Sequence, residues 1–527
     1  ERSLDPAKRS QLGAHYTSTA DILLIVEPVV IAPLQRRWEM VKADATEIAA
    51  KAQKVKGNAY TKLRAQLQEK LFAWVEELSK VRILDPACGS GNFLYMALRR
   101  MLDLWKEVYL FTAEHGLPTF LPHQVHPSQL YGLETNVYAH ELASVVVWIG
   151  YLQWLNDNGI GWPTEPILRK LDNLQHRDAI LAYDADDSPV VPAWPDADFI
   201  IGNPPFLGDK KMRGELGDDY VKNARLLYEG RVPGGADLVT FWFERARTQI
   251  DNGAAKRVGL LATNSIRMVG NRPVLERILE SGGIFMAWSD RPWILDGASV
   301  RVSMVGFDDG SQTERTLDGL PVAAIHADLS AEANVASAVA LRENHGLCFL
   351  GIMKGGSFDL TPEQAAAMLS APLNPNGRPN SDVVKPRLIG RDVVQRNQHG
   401  WLVDFSEMPE SEAALYELPF EYVRAHVKPL RDGNRDRLMQ QNWWLHGRYR
   451  PALRHAISSL KRCIVTPEVA KHRIFVWMST DVVPDHTCHV IARDDDYFFG
   501  LLQGRIHETW SLSQGAWMGI GNDPRYS

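Results

Sequence analysis

The sequence predicts an α/β fold built on a mostly parallel, doubly wound sheet, with a helical segment before it and a separate domain behind it. Three observations carry that prediction. Short apolar runs at 81–84, 130–133, 198–201 and 257–262 each end in a polar or glycine-containing turn. Stretches with helical patterning lie between several of them. A glycine-containing turn, 85–93, joins the first run to an amphipathic stretch, giving strand, tight loop and helix in succession.

The elements follow in order. Residues 44–80 are rich in Ala, Lys, Glu, Gln and Leu and read as two helices broken near Gly57-Asn58. Residues 92–108, 137–156 and 238–252 read as helices, and 304–307 as a late strand after the Val300-Arg301-Val302 stretch. Residues 355–385 cluster Gly, Pro, Asn and Ser and read as a linker or loop-rich boundary. Beyond it the chain is rich in Trp, Arg and His and has no βαβ rhythm. The expected division is a helical segment over 1–80, the α/β domain over 81–340 and a third domain over 341–527.

Length and composition agree with several domains: 527 residues exceed one ordinary core, and 45% hydrophobic with 23% charged residues fit a globular protein. Cys88, Cys348, Cys463 and Cys488 are scattered, with neither zinc-ligand spacing nor a disulfide framework, so no metal is expected. With no signal peptide and no membrane-spanning run, the expected compartment is the cytoplasm, with no membrane partner. The first residue is Glu rather than Met, which leaves further domains ahead of it open. The net charge of −6 does not advertise a nucleic-acid binder. Residues 421–471, however, hold 11 Lys or Arg against 4 Asp or Glu, a local excess of 7. A basic segment on a mildly acidic chain is compatible with DNA binding, although charge alone favours a solvated face.

In Asp85-Pro86-Ala87-Cys88-Gly89-Ser90-Gly91-Asn92-Phe93 the glycines let backbone approach a ligand, and the helix behind supplies free N–H groups. The pyrophosphate spacing is not met, because Leu94 stands where its third glycine would. Glu134, at the end of the next run, suits an acceptor for ribose hydroxyls, with a surface Glu at a strand end as the alternative.

Asn203-Pro204-Pro205-Phe206 ends the third run. Two prolines remove two donors and stiffen the backbone, so the Asn side chain and a carbonyl point in set directions. Exocyclic amino chemistry needs such an arrangement. The amino lone pair is delocalised into the ring, and acceptors on its two hydrogens favour a tetrahedral nitrogen that can attack a methyl group. Asn203 Oδ1 and the Pro204 carbonyl can be those acceptors. Phe206 can stack on a base flipped from the duplex. Cys88 is not required as a nucleophile. Taken alone, the four residues are equally a proline-rich turn beneath a strand.

The glycine string resembles the cofactor loop of class I S-adenosylmethionine-dependent methyltransferases, especially the amino-methylating DNA enzymes. That resemblance implies a Rossmann-like domain using S-adenosyl-L-methionine, with Asp85, Ala87, Gly89 and Gly91 around the methionine part. Asp178, in Arg177-Asp178-Ala179-Ile180, resembles the residue holding the cofactor's adenine amino group. Gly13-Ala14-His15-Tyr16-Thr17-Ser18 resembles the segment closing over the methionine end, which brings in Tyr16 and Thr17; Thr17 or Ser18 also suits a helix N-cap. The order of segments is that of the γ class of N6-adenine DNA methyltransferases. Asn203 to Gly208 and the Lys-Lys-Met-Arg-Gly-Glu-Leu run resemble the type IIL restriction–modification and DISARM phage-defence methyltransferases. The resemblance implies double-stranded DNA and other defence-system subunits as partners, and a target-recognition domain at the C-terminus. No Asp…Glu-x-Lys nuclease core is found.

The DNA-contact candidates are Lys210, Lys211 and Arg213, read as a basic loop beside the flipped base, and Arg431, Arg435, Trp443 and Arg448 as base or phosphate readers. For the loop a solvated surface weighs equally, and paired tryptophans are more often core. Three other functions share the motif: glutamine N5-methylation of protein, cytosine N4-methylation, and an inactive DNA-binding subunit. The long C-terminal part disfavours the first, Asn rather than Ser at 203 the second, and the intact motifs the third.

Overall fold

The computed structural model describes residues 17–118, 124–160, 171–295, 298–331, 341–395, 400–433, 436–514, 516–517 and 524–525. The chain forms two compact units, 1–336 and 337–527.

In the first unit, Ser18 caps α1 (Thr19–Val26) by accepting the Asp21 N–H. One π turn, Glu27–Ile31, leads into α2 (Ala32–Gln53), and Gly57 at φ +63° starts α3 (Asn58–Ser79). Then come β1 (Ile83–Asp85), α4 (Asn92–Glu114), β2 (Leu130–Glu134), α5 (Val137–Asp157), β3 (Leu174–His176) and β4 (Phe199–Gly202). After β4 follow α6 (Asp209–Leu216), α7 (Asp218–Leu227), α8 (Val239–Asp251), β5 (Arg257–Thr263) and α9 (Pro273–Ser281). The unit continues with β6 (Gly283–Leu295), β7 (Ala298–Asp308), β8 (Arg315–Leu317) and β9 (Leu320–Val322).

These strands make one nine-stranded sheet in the order β9-β8-β6-β7-β5-β4-β1-β2-β3. The run β5-β4-β1-β2-β3 is parallel, whereas β7 runs antiparallel to both β5 and β6. Side chains alternate across this sheet. Ile83, Phe199, Ile201 and Leu261 enter the core shared with α1 to α5, while Leu84, Ile200, Val258 and Leu260 enter the core shared with α8 and α9. Both faces are therefore covered, which is why these strands read as nearly continuous apolar runs. The strand order reverses between β1 and β4, and a crevice at the carboxyl ends of such strands is where this architecture places its ligands.

The long strand β6 was not legible in the sequence, and β7 is far longer than the expected 304–307. Register shifts at Ile284/Met286 and Trp288/Arg291 interrupt the two-residue period of the hairpin.

The second unit holds β10 (Cys348–Leu350), β11 (Asp359–Leu360), α10 (Pro362–Leu369), β12 (Val384–Leu388), β13 (Gly400–Val403), β14 (Arg462–Pro467), β15 (Val476–Ser479), β16 (Val483–Pro484) and β17 (Cys488–Ile491), besides several further helices. Two four-stranded sheets form, β10-β17-β14-β15 and β11-β13-β12-β16. Residues 355–385 are thus not a linker. They supply β11 and α10, and Thr361 caps that helix with Gln364 in a reciprocal box. Among the described residues no helix is long and apolar enough to cross a membrane.

Candidate functional site

Three strand ends build the site. At the end of β1 the chain turns sharply: Gly91 N–H donates to the Cys88 carbonyl at 2.7 Å, and Cys88 N–H donates to the Leu133 carbonyl of β2 at 3.0 Å. Gly89 at φ +52° and Gly91 at φ +84° hold left-handed backbone. Gly91 also leads into α4, and a Cβ there would press on Ala143 of α5 at 3.3 Å. From below, the Trp242 indole donates to the Pro86 carbonyl at 2.9 Å.

Asp85 is 1% exposed, and its Oδ1 accepts the Ala87 N–H at 3.0 Å. Burial, with Glu134 adding repulsion, pushes its carboxyl from 3.8 up to about 8, against the Ala87 hydrogen bond. Across the sheet, a Cβ at Gly202 would collide with this carboxylate. The glycine before Asn203 therefore lets β4 lie against the first turn of the loop.

Glu134 closes the loop from β2. Its Oε2 accepts the Gly89 N–H at 2.9 Å and its Oε1 the Asn136 N–H at 2.7 Å. Its backbone carbonyl accepts Arg177 N–H at 3.0 Å, which sets Asp178 one residue away. Asp178 Oδ1 accepts the Ile180 and Leu181 N–H groups at 2.6 and 3.0 Å, and Oδ2 accepts the Tyr220 hydroxyl of α7 at 2.9 Å.

Asn203 follows β4 directly. Its Nδ2 donates to Thr17 Oγ1 at 3.2 Å. Its Oδ1 is buried and has no donor among the described residues. Pro204 is buried, while Pro205 and Phe206 are half-buried, with Phe206 against the core on the α1 side of the sheet. Leu238 N–H donates to the Leu207 carbonyl at 2.9 Å, and Asp237 gathers Ser265 Oγ, Asn271 Nδ2 and the Asp209 N–H, so the chain leaving the Asn-Pro-Pro-Phe run is anchored on β5's end.

The structure thus brings together Thr17, Asp85, Ala87, Gly89, Gly91, Glu134, Asp178 and Asn203 to Phe206. Tyr16 and Arg435 lie outside the described residues. Sequence reasoning missed Tyr220 and the pairing of Thr17 with Asn203. Neither carries a local signal, because each partner arrives from a distant element.

The DNA-contact candidates need correction. Lys210 and Lys211 are exposed, but with Arg213 they lie on α6 rather than in a loop. Arg213 already pairs with Asp218 at 2.6 Å. Arg431 is 1% exposed; it donates to the carbonyls of Asn442, Leu445 and Lys354 and lies over the Phe358 ring. It ties the core of the second unit and is not presented to a ligand. Trp443 is buried against Phe420 and Trp444, with its indole donating to Glu410 at 3.2 Å. Arg448 is exposed.

The parallel strands and the glycine loop at their switch point make the first unit a Rossmann-like α/β fold. Residues 60–318 match the family described as MmeI, DNA-methyltransferase domain. DNA methyltransferase A of Bacillus subtilis is 29% identical over 321 residues, covering 57% of this chain and 32% of that protein. A putative type II restriction enzyme and methyltransferase of Methanocaldococcus jannaschii is 28% identical over 155 residues, 28% of this chain and 12% of that protein. The chain thus spans about a third or less of these curated relatives. The solved structure of the type IIL restriction-modification enzyme MmeI in complex with DNA matches with a TM-score of 0.74 at 21% identity, covering 99% of this chain and 68% of that one; at that identity the likeness shows the fold.

Proposed function

We propose that the chain methylates the N6 amino group of adenine in double-stranded DNA, with S-adenosyl-L-methionine as donor, for host marking in a restriction or phage-defence system. One observation carries the reading: Asn203 presents a buried Oδ1 with no donor among the described residues, at the end of the strand beside the glycine loop. An acceptor left in that state costs about 1–3 kcal/mol, and a substrate N–H would recover it.

The loop fits the cofactor. The left-handed glycines bring backbone close, the buried Asp85 carboxyl suits a cationic ligand, and Glu134 and Asp178 offer acceptors for hydroxyl and amino groups. When bound, S-adenosyl-L-methionine would supply an electrophilic methyl group; its transfer would break the C–S bond with the electron pair left on sulfur, form the N–C bond and release one N6 proton to water. The chain's own residues prepare the amino group for this. Asn203 Oδ1 and the Pro204 carbonyl accept its two hydrogens, draw the nitrogen toward tetrahedral geometry and free its lone pair. Phe206 covers the face of the extruded base.

Long-read sequencing of unmethylated DNA exposed to the protein tests the reading. N6-methyladenine at one recurring site, lost with Asn203→Ala while cofactor binding persists, is the expected result. N4-methylcytosine, methylated protein in place of DNA, or undiminished transfer by the variant would each overturn it.

A further inference from the structure

We propose that Thr17 is a positioning residue for methyl transfer: its hydroxyl anchors the end of the Asn203 amide turned away from the target nitrogen and so holds that side chain in place. This rests on the amino-methylation reading of the site. A carboxamide is nearly symmetric in shape and opposite in chemistry at its two ends. With Oδ1 toward the substrate, an N–H finds an acceptor; after a half turn of the side chain, N–H meets N–H. The prolines set the backbone, but they leave the Asn203 side chain free to turn.

Presenting Oδ1 to a substrate sends the NH2 end the other way, where it needs an acceptor of its own. Thr17 Oγ1 supplies it at 3.2 Å. Thr17 is 4% exposed, so water competes poorly for this bond. The hydroxyl also sits on a rigid base: the next residue, Ser18, caps α1, and Ile22, Ile25 and Val26 of that helix are buried in the unit's core. A segment 186 residues before Asn203 thus completes the acceptor site.

The cofactor-closing role implied for Thr17 by resemblance predicts a loss of cofactor affinity on substitution. A positioning role predicts a loss of rate with affinity intact. The test measures single-turnover methyl transfer to unmethylated DNA at saturating cofactor, the cofactor dissociation constant by calorimetry, and the thermal midpoint, for wild type, Thr17→Val and Thr17→Ser. Thr17→Val is expected to slow transfer by about 100-fold, the size of effect that a misplaced reacting group produces. Its cofactor affinity and thermal midpoint should stay near wild type, and Thr17→Ser, which keeps the oxygen, should restore most of the rate. A Thr17→Val defect erased by more cofactor, a wild-type rate in that variant, or a Thr17→Ser protein as slow as Thr17→Val would overturn the proposal while leaving the function standing. A wild-type protein that moves no methyl to DNA would instead overturn the function, and the proposal with it.

Discussion

Gly89 and Glu134 are joined across two strands: the glycine N–H donates to Glu134 Oε2 at 2.9 Å, while Oε1 holds the N–H of Asn136. One carboxylate thus sets the glycine loop against the next strand, and both of its oxygens face donors. Glu134→Gln puts an NH2 group against one of those N–H groups. Hydrogen bonds to charged groups contribute about 1.5–3 kcal/mol, so we expect a cofactor affinity at least tenfold weaker and a lower melting temperature. Calorimetric titration and thermal unfolding check both.

Asp85 makes stability depend on pH in the direction opposite to an ordinary carboxylate. Its folded-state pKa is about 8, against 3.8 for an unhindered Asp. Between those values the folded chain holds a proton that the unfolded chain has released, so stability falls as pH rises across the window. Asp85→Asn should remove that part of the slope, as measured by denaturant unfolding from pH 5 to 8. With S-adenosyl-L-methionine as the proposed cofactor, affinity for its sulfonium should strengthen as pH rises through about 8, and the Asn variant should lose that gain.

Tyr220 reaches Asp178 from α7 and engages Oδ2 at 2.9 Å. The two backbone N–H groups on Oδ1 remain in Tyr220→Phe, so the carboxylate is loosened rather than released. We expect cofactor affinity to weaken by roughly fivefold, in keeping with the ~1 kcal/mol of one net hydrogen bond. Little change in methyl-transfer rate at saturating cofactor should accompany it. An unchanged dissociation constant would remove Asp178 from the cofactor site or Tyr220 from its support.

Arg431 and Arg448 separate structural from binding cations. Arg431→Ala strips donors from three carbonyls in the core of the second unit and should destabilise it by about 3 kcal/mol. Arg448 is exposed, and Arg448→Ala should move stability by no more than about 0.5 kcal/mol. If Arg448 meets a phosphate, its loss weakens DNA binding evenly across sequences and lowers the salt slope by about 1. Titration of DNA binding at several salt concentrations reads this out.

Much of the first unit was legible because its signals are local. Two-face burial makes the parallel strands apolar throughout, and the turns that follow them need glycine or proline at set places. The hairpin β6-β7 was harder to see, since its bulges break the alternation that marks a strand. The basic count over 421–471 misled at Arg431, because composition records charge and not burial.

By itself the sequence determined the chain order of the motifs, the glycine-containing loop and the stiff Asn-Pro-Pro-Phe run, since each is written in neighbouring residues. The tertiary structure alone decided that Thr17 meets Asn203, that Tyr220 meets Asp178, that Glu134 closes the loop and that Arg431 is sealed in a core. Those pairings are made by packing between elements far apart in the chain. A residue's type tells what it can bond to; the fold alone brings the partner within reach.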